Sequence, residues 1–280
     1  MMRGAPTAIA QISDLHIKPP GAKAYGVVDT ARALSRCIDH LNLMSPPPDI
    51  VVISGDLVDT GSEAEYQHLE QLLAPLKSAV AVIPGNHDAR AQLRRLFPAQ
   101  PYVRQEGALD FALAVADLDL ILLDSSVPGR PHGWLGTDTL AWLDETLGAA
   151  PERPAVLFLH HPPFRSGISH MDRQILLNAD TLGTIVARHP RTRLVAAGHI
   201  HRAASTIFAG TPATICPALN HAVDLDLTAA RVPSFTVEPP AFHLHLWMPD
   251  DRFGHLISHV VPVGRFEGPY PFFRTNGELL

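Results

Sequence analysis

The chain has 280 residues, is 46% hydrophobic and 18% charged, and carries a formal net charge of −6. That length buries one large core or two modest ones, which excludes disorder, and the acidic balance excludes a nucleic-acid groove, which needs clustered Lys and Arg. With no apolar run long enough for a bilayer and no signal-like h-region in MMRGAPTAIAQ, a cytoplasmic protein without membrane contact is expected.

Short apolar runs at 8–12, 50–53 and 80–83 alternate with helical patterns at 27–44 and 64–76. This is the βαβαβ signature of a buried sheet covered by helices. Ser62 is placed to cap the second helix, with Glu65 reaching back to it. After Phe97-Pro98 the runs 111–115 and 118–123 read as a hairpin, followed by a helix at 139–147, a strand at 155–159, a helix at 180–188, and strands at 194–197, 206–208 and 213–216. The tail 242–263 alternates around a turn at 249–254 and reads as a β-hairpin. Two stretches, 162–180 and 217–240, fit no element and are expected to be cap loops or partner contacts. The whole is expected to be a single α/β domain over 1–280, its core at about 7–216, with cap or oligomerisation elements at about 162–180 and 217–266 and self-association as a dimer or higher homo-oligomer. Cys37 and Cys216, too few for a disulfide framework and in no CxxC pair, are expected in the core. Trp134 and Trp142 read as core or lid packing.

Each conspicuous polar cluster follows the end of a buried run: Asp14 and His16, then Asp56, then Asn86 and His87, then His160 and His161, then His199 and His201. Sites in open α/β sheets form outside the carboxyl ends of strands, where loops converge. Singly, each cluster also reads as an ordinary turn; all five in order point to one site. The i, i+2 spacing of His199 and His201, read as an extended segment, puts both rings on one face, whereas His161, next to His160, is expected to point to the opposite face and to serve in the core or in support of a ligand. Mixed imidazole, carboxylate and amide-oxygen donors suit borderline first-row ions such as Fe, Mn or Zn. Two such ions clamp a phosphate and share a bridging hydroxide, which requires a bridging carboxylate.

The ordered motifs Asp14-Leu15-His16, Gly55-Asp56, Gly85-Asn86-His87-Asp88, His160-His161 and Gly198-His199-Ile200-His201 resemble those of the calcineurin-like metallophosphoesterases, over residues about 8–204. Within that superfamily the segments Ala24-Tyr25-Gly26, Leu123-Asp124-Ser125-Ser126, Gly133-Trp134-Leu135 and Met171-Asp172 resemble bacterial glycerophosphodiesterases and class III cyclic nucleotide phosphodiesterases. The resemblance implies a four-layer αββα sandwich of two mixed β-sheets flanked by helices. It also implies two divalent ions per subunit, the first held by Asp14, His16 and His201, the second by Asn86, His160 and His199, with Asp56 bridging. His87 would hydrogen-bond the phosphate or assist the leaving group, alongside Asn86; His221 would stand at the substrate, and Tyr25 would either reach the substrate or only pack.

The expected activity is hydrolysis of a small phosphodiester, of glycerophosphodiester or 3',5'-cyclic nucleotide type, with the bridging hydroxide as nucleophile. Two alternatives stand beside it. One is a phosphomonoesterase or nuclease on the same metal core, because loops set that choice. The other is a non-catalytic scaffold, which the complete ligand set disfavours. His243, His245, His255 and His259 read as hairpin residues without a chemical part.

Overall fold

A computed structural model describes residues 6–228, 232–249, 254–275 and 277–279. In chain order the first half runs β1 (Thr7–Ile12), α1 (Thr30–Leu43), β2 (Ile50–Ser54), α2 (Glu63–Leu73), β3 (Ala79–Ile83) and α3 (Arg90–Leu96). The second half adds β4 (Phe111–Val115), β5 (Leu118–Leu123), α4 (Thr137–Ala149), β6 (Ala155–Leu159), α5 (Ala179–Arg188), β7 (Thr192–Ala197), β8 (Ala204–Phe208) and β9 (Thr211–Ile215). After these come β10 (Ala222–Val223), β11 (Phe235–Thr236), β12 (Ala241–Met248) and β13 (His255–Pro262).

Two mixed sheets result. One has the order β13-β12-β1-β2-β3, with β1, β2 and β3 parallel; the other has β4-β5-β6-β7-β9-β8, with β5, β6, β7 and β9 parallel. Continuous apolar runs such as Ile50–Ser54 and Ala155–Leu159 are buried along their whole length because both faces are covered. On one side Ala10, Ile12, Val51 and Ile53 pack under Leu34, Ile38 and Leu41 of α1 and Tyr66 and Leu69 of α2. On the far side Leu157, Leu159 and Val195 pack under Leu143 of α4 and Leu182 and Ile185 of α5. Between the sheets Ile9, Val52, Phe111, Leu120, Phe158 and Trp247 form a third core. The expected αββα layering is therefore present.

Local signals explain the element starts. Asp29 accepts the Arg32 N–H at the head of α1, and Glu65 Oε2 takes the Ser62 N–H at 3.1 Å at the head of α2, as expected. The hairpin at 111–123 also forms, as β4 against β5.

Several features differ from the sequence reading. Helix α3 was not expected; it is short, buries only Leu93, and is pinned by Arg90, whose Nε lies 2.6 Å from Asp124 Oδ2. The C-terminal hairpin is not an addition to the sandwich, since β12 pairs antiparallel with β1 and so lies inside the first sheet. Its expected turn includes 250–253, which lie outside the described residues, as do 229–231 of the 217–240 stretch. That stretch contains the small ribbon β10–β11, and 162–180 contains a 3-10 turn at Met171–Arg173. Trp134 is 51% exposed, so it is not a core residue. Cys37 and Cys216 are buried and free. Among the described residues no helix is long and apolar enough to cross a membrane.

Candidate metal centre

The carboxyl ends of β1, β2 and β3 in one sheet face those of β6 and β7 in the other. Asp14 N–H donates to the Gly55 carbonyl and His16 N–H to the Asp56 carbonyl, which ties the first two loops together. Gly198 N–H donates to the His160 carbonyl and ties the loops of the second sheet. Buried Gln11 joins the sheets beneath them, its Nε2 donating to Ser54 Oγ at 2.8 Å and to the Ala197 carbonyl at 3.1 Å.

The backbone here is unusual. Asp14 (φ 56°), His16 (φ 46°), Asp56 (φ 50°), His199 (φ 73°) and His201 (φ 58°) all sit in the left-handed region. Each such non-glycine residue costs of order 1–3 kcal/mol and persists only where its surroundings dictate it. His199 and His201 thus converge through a turn, not through the alternation of a strand as the sequence reading supposed. His161 is buried, as a core or supporting residue is expected to be, but it does not point away: its ring centroid lies 4.8 Å from those of both His160 and His199.

Glycines leave the room these side chains need. A Cβ on Gly55 would stand 2.3 Å from His160 Nδ1, and one on Gly85 would stand 2.1 Å from Asp56 Oδ1. One on Gly198 would stand 2.0 Å from Ser13 Oγ and 3.0 Å from Asp14 Oδ2.

The donor atoms gather at two points. At the first, His16 Nε2 lies 3.2 Å from His201 Nε2, and His201 Nε2 lies 3.3 Å from Asp14 Oδ1. At the second, His160 Nε2 lies 3.2 Å from His199 Nδ1 and 3.3 Å from Asn86 Oδ1. Asp56 Oδ2 stands between them, 3.7 Å from His16 Nε2 and 3.3 Å from His160 Nε2. Ligand bonds of about 2.0–2.2 Å place neighbouring donors around one ion about 3–3.5 Å apart, so this donor set fits a divalent ion at each point. Asp14, Asp56, His160, His199 and His201 are all buried, the environment in which polar groups need such partners.

The sequence pattern of calcineurin-like phosphoesterases matches residues 7–203. The chain belongs to that family. Among its relatives is a probable glycerophosphodiester phosphodiesterase, GpdQ, of Arcobacter nitrofigilis, 36% identical over 97% of this chain and 99% of its own length. The 3',5'-cyclic adenosine monophosphate phosphodiesterase CpdA of Escherichia coli is 34% identical over 69% of each chain. The fold is shared with a dimetal phosphatase of Danio rerio, at a TM-score of 0.68 and 14% identity over 93% of this chain and all of the other.

Within this family member the charges are mutually adjusted. Burial opposes ionisation of Asp56, but the adjacent His160 outweighs it and holds the carboxyl well below its usual range. Burial likewise lowers His160, and Asp56 carries it back up to about 9. His199 and His201 are pushed down to about 3, by burial and then by neighbouring histidines, which keeps them in the neutral, lone-pair form that binds metal.

A cleft of about 260 Å³ opens beside these donors, and its lining includes Asn86, His87, Tyr25, Met171, Val223 and Phe235. His87 Nδ1 lies 2.6 Å from the Asp59 carbonyl and must donate to it, which leaves the Nε2 lone pair outside that contact. The Tyr25 ring is 60% exposed, stands 5.2 Å from the His221 ring and 4.8 Å from Phe235. His221 is buried, and its carbonyl accepts the Nδ1–H of His201 at 3.1 Å.

Three supporting residues escaped the sequence reading. Asp59 Oδ1 lies 3.3 Å from His16 Nδ1, and its other oxygen lies 2.7 Å from Lys18 Nζ. Asp88 accepts the Gly85 and Leu57 N–H groups and the Tyr66 hydroxyl, joining the Asp56 and Asn86 loops. Asn220 donates to the Asp14 and Leu15 carbonyls. Asp59, three residues after Asp56 and just beyond a strand end, was the one with a readable signal.

Proposed function

We infer that this chain hydrolyses small phosphodiesters at a dinuclear metal centre, with Asp14, His16 and His201 at one ion, Asn86, His160 and His199 at the other, and Asp56 shared. The observation that carries this reading is the position of Asp56 Oδ2, within 3.7 Å of His16 Nε2 and 3.3 Å of His160 Nε2, so that one carboxylate serves both groups. Near full-length likeness to a glycerophosphodiester phosphodiesterase supports the diester class.

Divalent ions held by these residues would supply neutralisation of phosphoryl charge and acidification of a bound water. The protein supplies the rest. Asp56 fixes the spacing of the two donor groups. His87, anchored through Nδ1, offers Nε2 to the departing ester oxygen and in imidazolium form gives it a proton. Asn86 lines the same cleft, and Tyr25 and His221 bound the space for the second ester group. A cleft of about 260 Å³ has room for a small substrate. Among Fe, Mn and Zn the donor set makes no choice.

Metal-reconstituted protein is to be assayed with bis(p-nitrophenyl) phosphate, p-nitrophenyl phosphate, glycerophosphodiesters and 3',5'-cyclic nucleotides. Higher kcat/KM for diesters is expected; clear preference for the monoester would leave a phosphomonoesterase on the same centre.

Self-association is part of the same reading. β13 is an edge strand with Val260 52% exposed, and Phe266 and Phe272 beyond it are exposed as well. Such an edge presents unpaired backbone groups to a second copy. Sedimentation as a monomer across micromolar concentrations would contradict it.

A further inference from the structure

Three sequence segments lie apart from the metal donors: Leu123-Asp124-Ser125-Ser126, Gly133-Trp134-Leu135, and the second histidine of His160-His161. The fold brings them together around the His161 ring. Ser125 Oγ lies 2.8 Å from His161 Nδ1 and accepts the His161 backbone N–H at 3.2 Å. Gly133 packs directly on the ring, where a Cβ would stand 2.5 Å from His161 Cγ. Trp134 N–H donates to the Ser125 carbonyl at 2.9 Å, which fixes the two segments to each other.

A fully buried imidazole held this closely has an unexplained end. His161 Nε2 is buried without a hydrogen-bond partner, and so is His199 Nε2. His199 turns Nδ1 toward His160 Nε2, so as a neutral ligand binding through Nδ1 it must carry its proton on Nε2. The His161 ring is 4.8 Å from the His199 ring, centroid to centroid. A buried polar atom left unsatisfied is destabilising, and a phenyl ring in the same place would avoid that cost.

We propose that His161 is a positioning residue for His199: with Nδ1–H given to Ser125 Oγ, its Nε2 lone pair receives the Nε2–H of His199, directly or through one water. Metal-ligating histidines commonly have their second nitrogen fixed in this manner, and loss of the partner typically costs about 10–100-fold in metal affinity. This inference rests on the metal-centre reading. The competing arrangement is local, because the Pro131 carbonyl also approaches the His161 ring and would take an Nε2–H.

The test is chelator-competition titration of wild type, His161→Phe and Ser125→Ala with Zn²⁺ and Mn²⁺, joined to ¹⁵N-histidine NMR of the wild type. Two bound equivalents are expected in wild type. In His161→Phe one of them weakens about 10–100-fold while the other holds; Ser125→Ala weakens the same one by less. The NMR should show His161 as the Nδ1–H tautomer and His199 as the Nε2–H tautomer. Native affinity for both ions in His161→Phe, or equal loss of both, overturns the inference and leaves the centre standing. His161 found as the Nε2–H tautomer also overturns it. A wild type that binds no ions overturns the metal centre itself and this inference with it.

Discussion

His16 Nε2 and His201 Nε2, 185 residues apart in sequence, lie 3.2 Å apart in a buried site. Two nitrogens that bind one ion stand about that far apart, and the same separation recurs between His160 Nε2 and His199 Nδ1. Asp56 joins the two pairs.

Replacing Asp56 with Ala removes the group common to both points and also the acceptor of the His87 backbone N–H. Both ions are expected to be lost, with kcat/KM for a diester falling about a thousandfold or more. Metal analysis of the purified variant alongside its kinetics checks this; two tightly held ions with near-native activity would exclude Asp56 as the bridge.

His87→Ala should behave differently, because the His87 ring commits Nδ1 to the Asp59 carbonyl and the proposed ligand set does not include it. Metal content is expected to stay near that of wild type while kcat falls about 10²–10⁴-fold. A parallel loss of metal would make His87 a ligand.

Gly85→Ala tests the steric part. Its Cβ would stand 2.1 Å from Asp56 Oδ1, so the carboxylate must move. Weaker metal binding and a stability loss of about 1–3 kcal/mol are expected. Gly136→Ala, where nothing lies within 4 Å, is the control. Equal behaviour of the two variants in metal titration and urea unfolding would contradict the close packing.

Acid should weaken the fold through histidines remote from the donors. Buried His243 has its pKa lowered to about 4 by burial, and its Nδ1 has no partner; adjacent His245 is lowered too, by burial first and then by His243. The unfolded chain protonates His243 near pH 6.5 and the folded chain only near 4, so stability present above 6.5 declines as the pH falls toward 4. For His243 the decline is on the order of 3 kcal/mol. Urea unfolding of chelator-treated wild type and His243→Phe should show a shallower decline in the variant; identical slopes would remove His243 from the effect.

The scaffold was legible because strands covered on both faces read as unbroken apolar runs, and because Ser62 and Glu65 mark a helix start by themselves. The gathering of polar residues at strand ends was legible for the same reason, since a buried strand makes its terminus conspicuous. Helix α3 was not, for Arg-Ala-Gln-Leu-Arg-Arg-Leu buries one leucine and is held by an ion pair to Asp124, 34 residues away. Nor was the burial of β12. His243 and His245 face the interior while Leu244 and Leu246 are half-buried, the reverse of what polarity suggests, because His245 finds partners in Gln11 and Ser258. The supporting contacts of Asp59, Asp88 and Asn220 depend on neighbouring loops and left no periodic trace.

The most direct test of a dinuclear phosphodiesterase is to strip the protein with chelator and titrate Mn²⁺ or Zn²⁺ back while following bis(p-nitrophenyl) phosphate hydrolysis. Activity absent without metal and reaching its plateau at two equivalents per chain is the expected result. Full activity in the stripped protein, or a plateau at one equivalent, would contradict it.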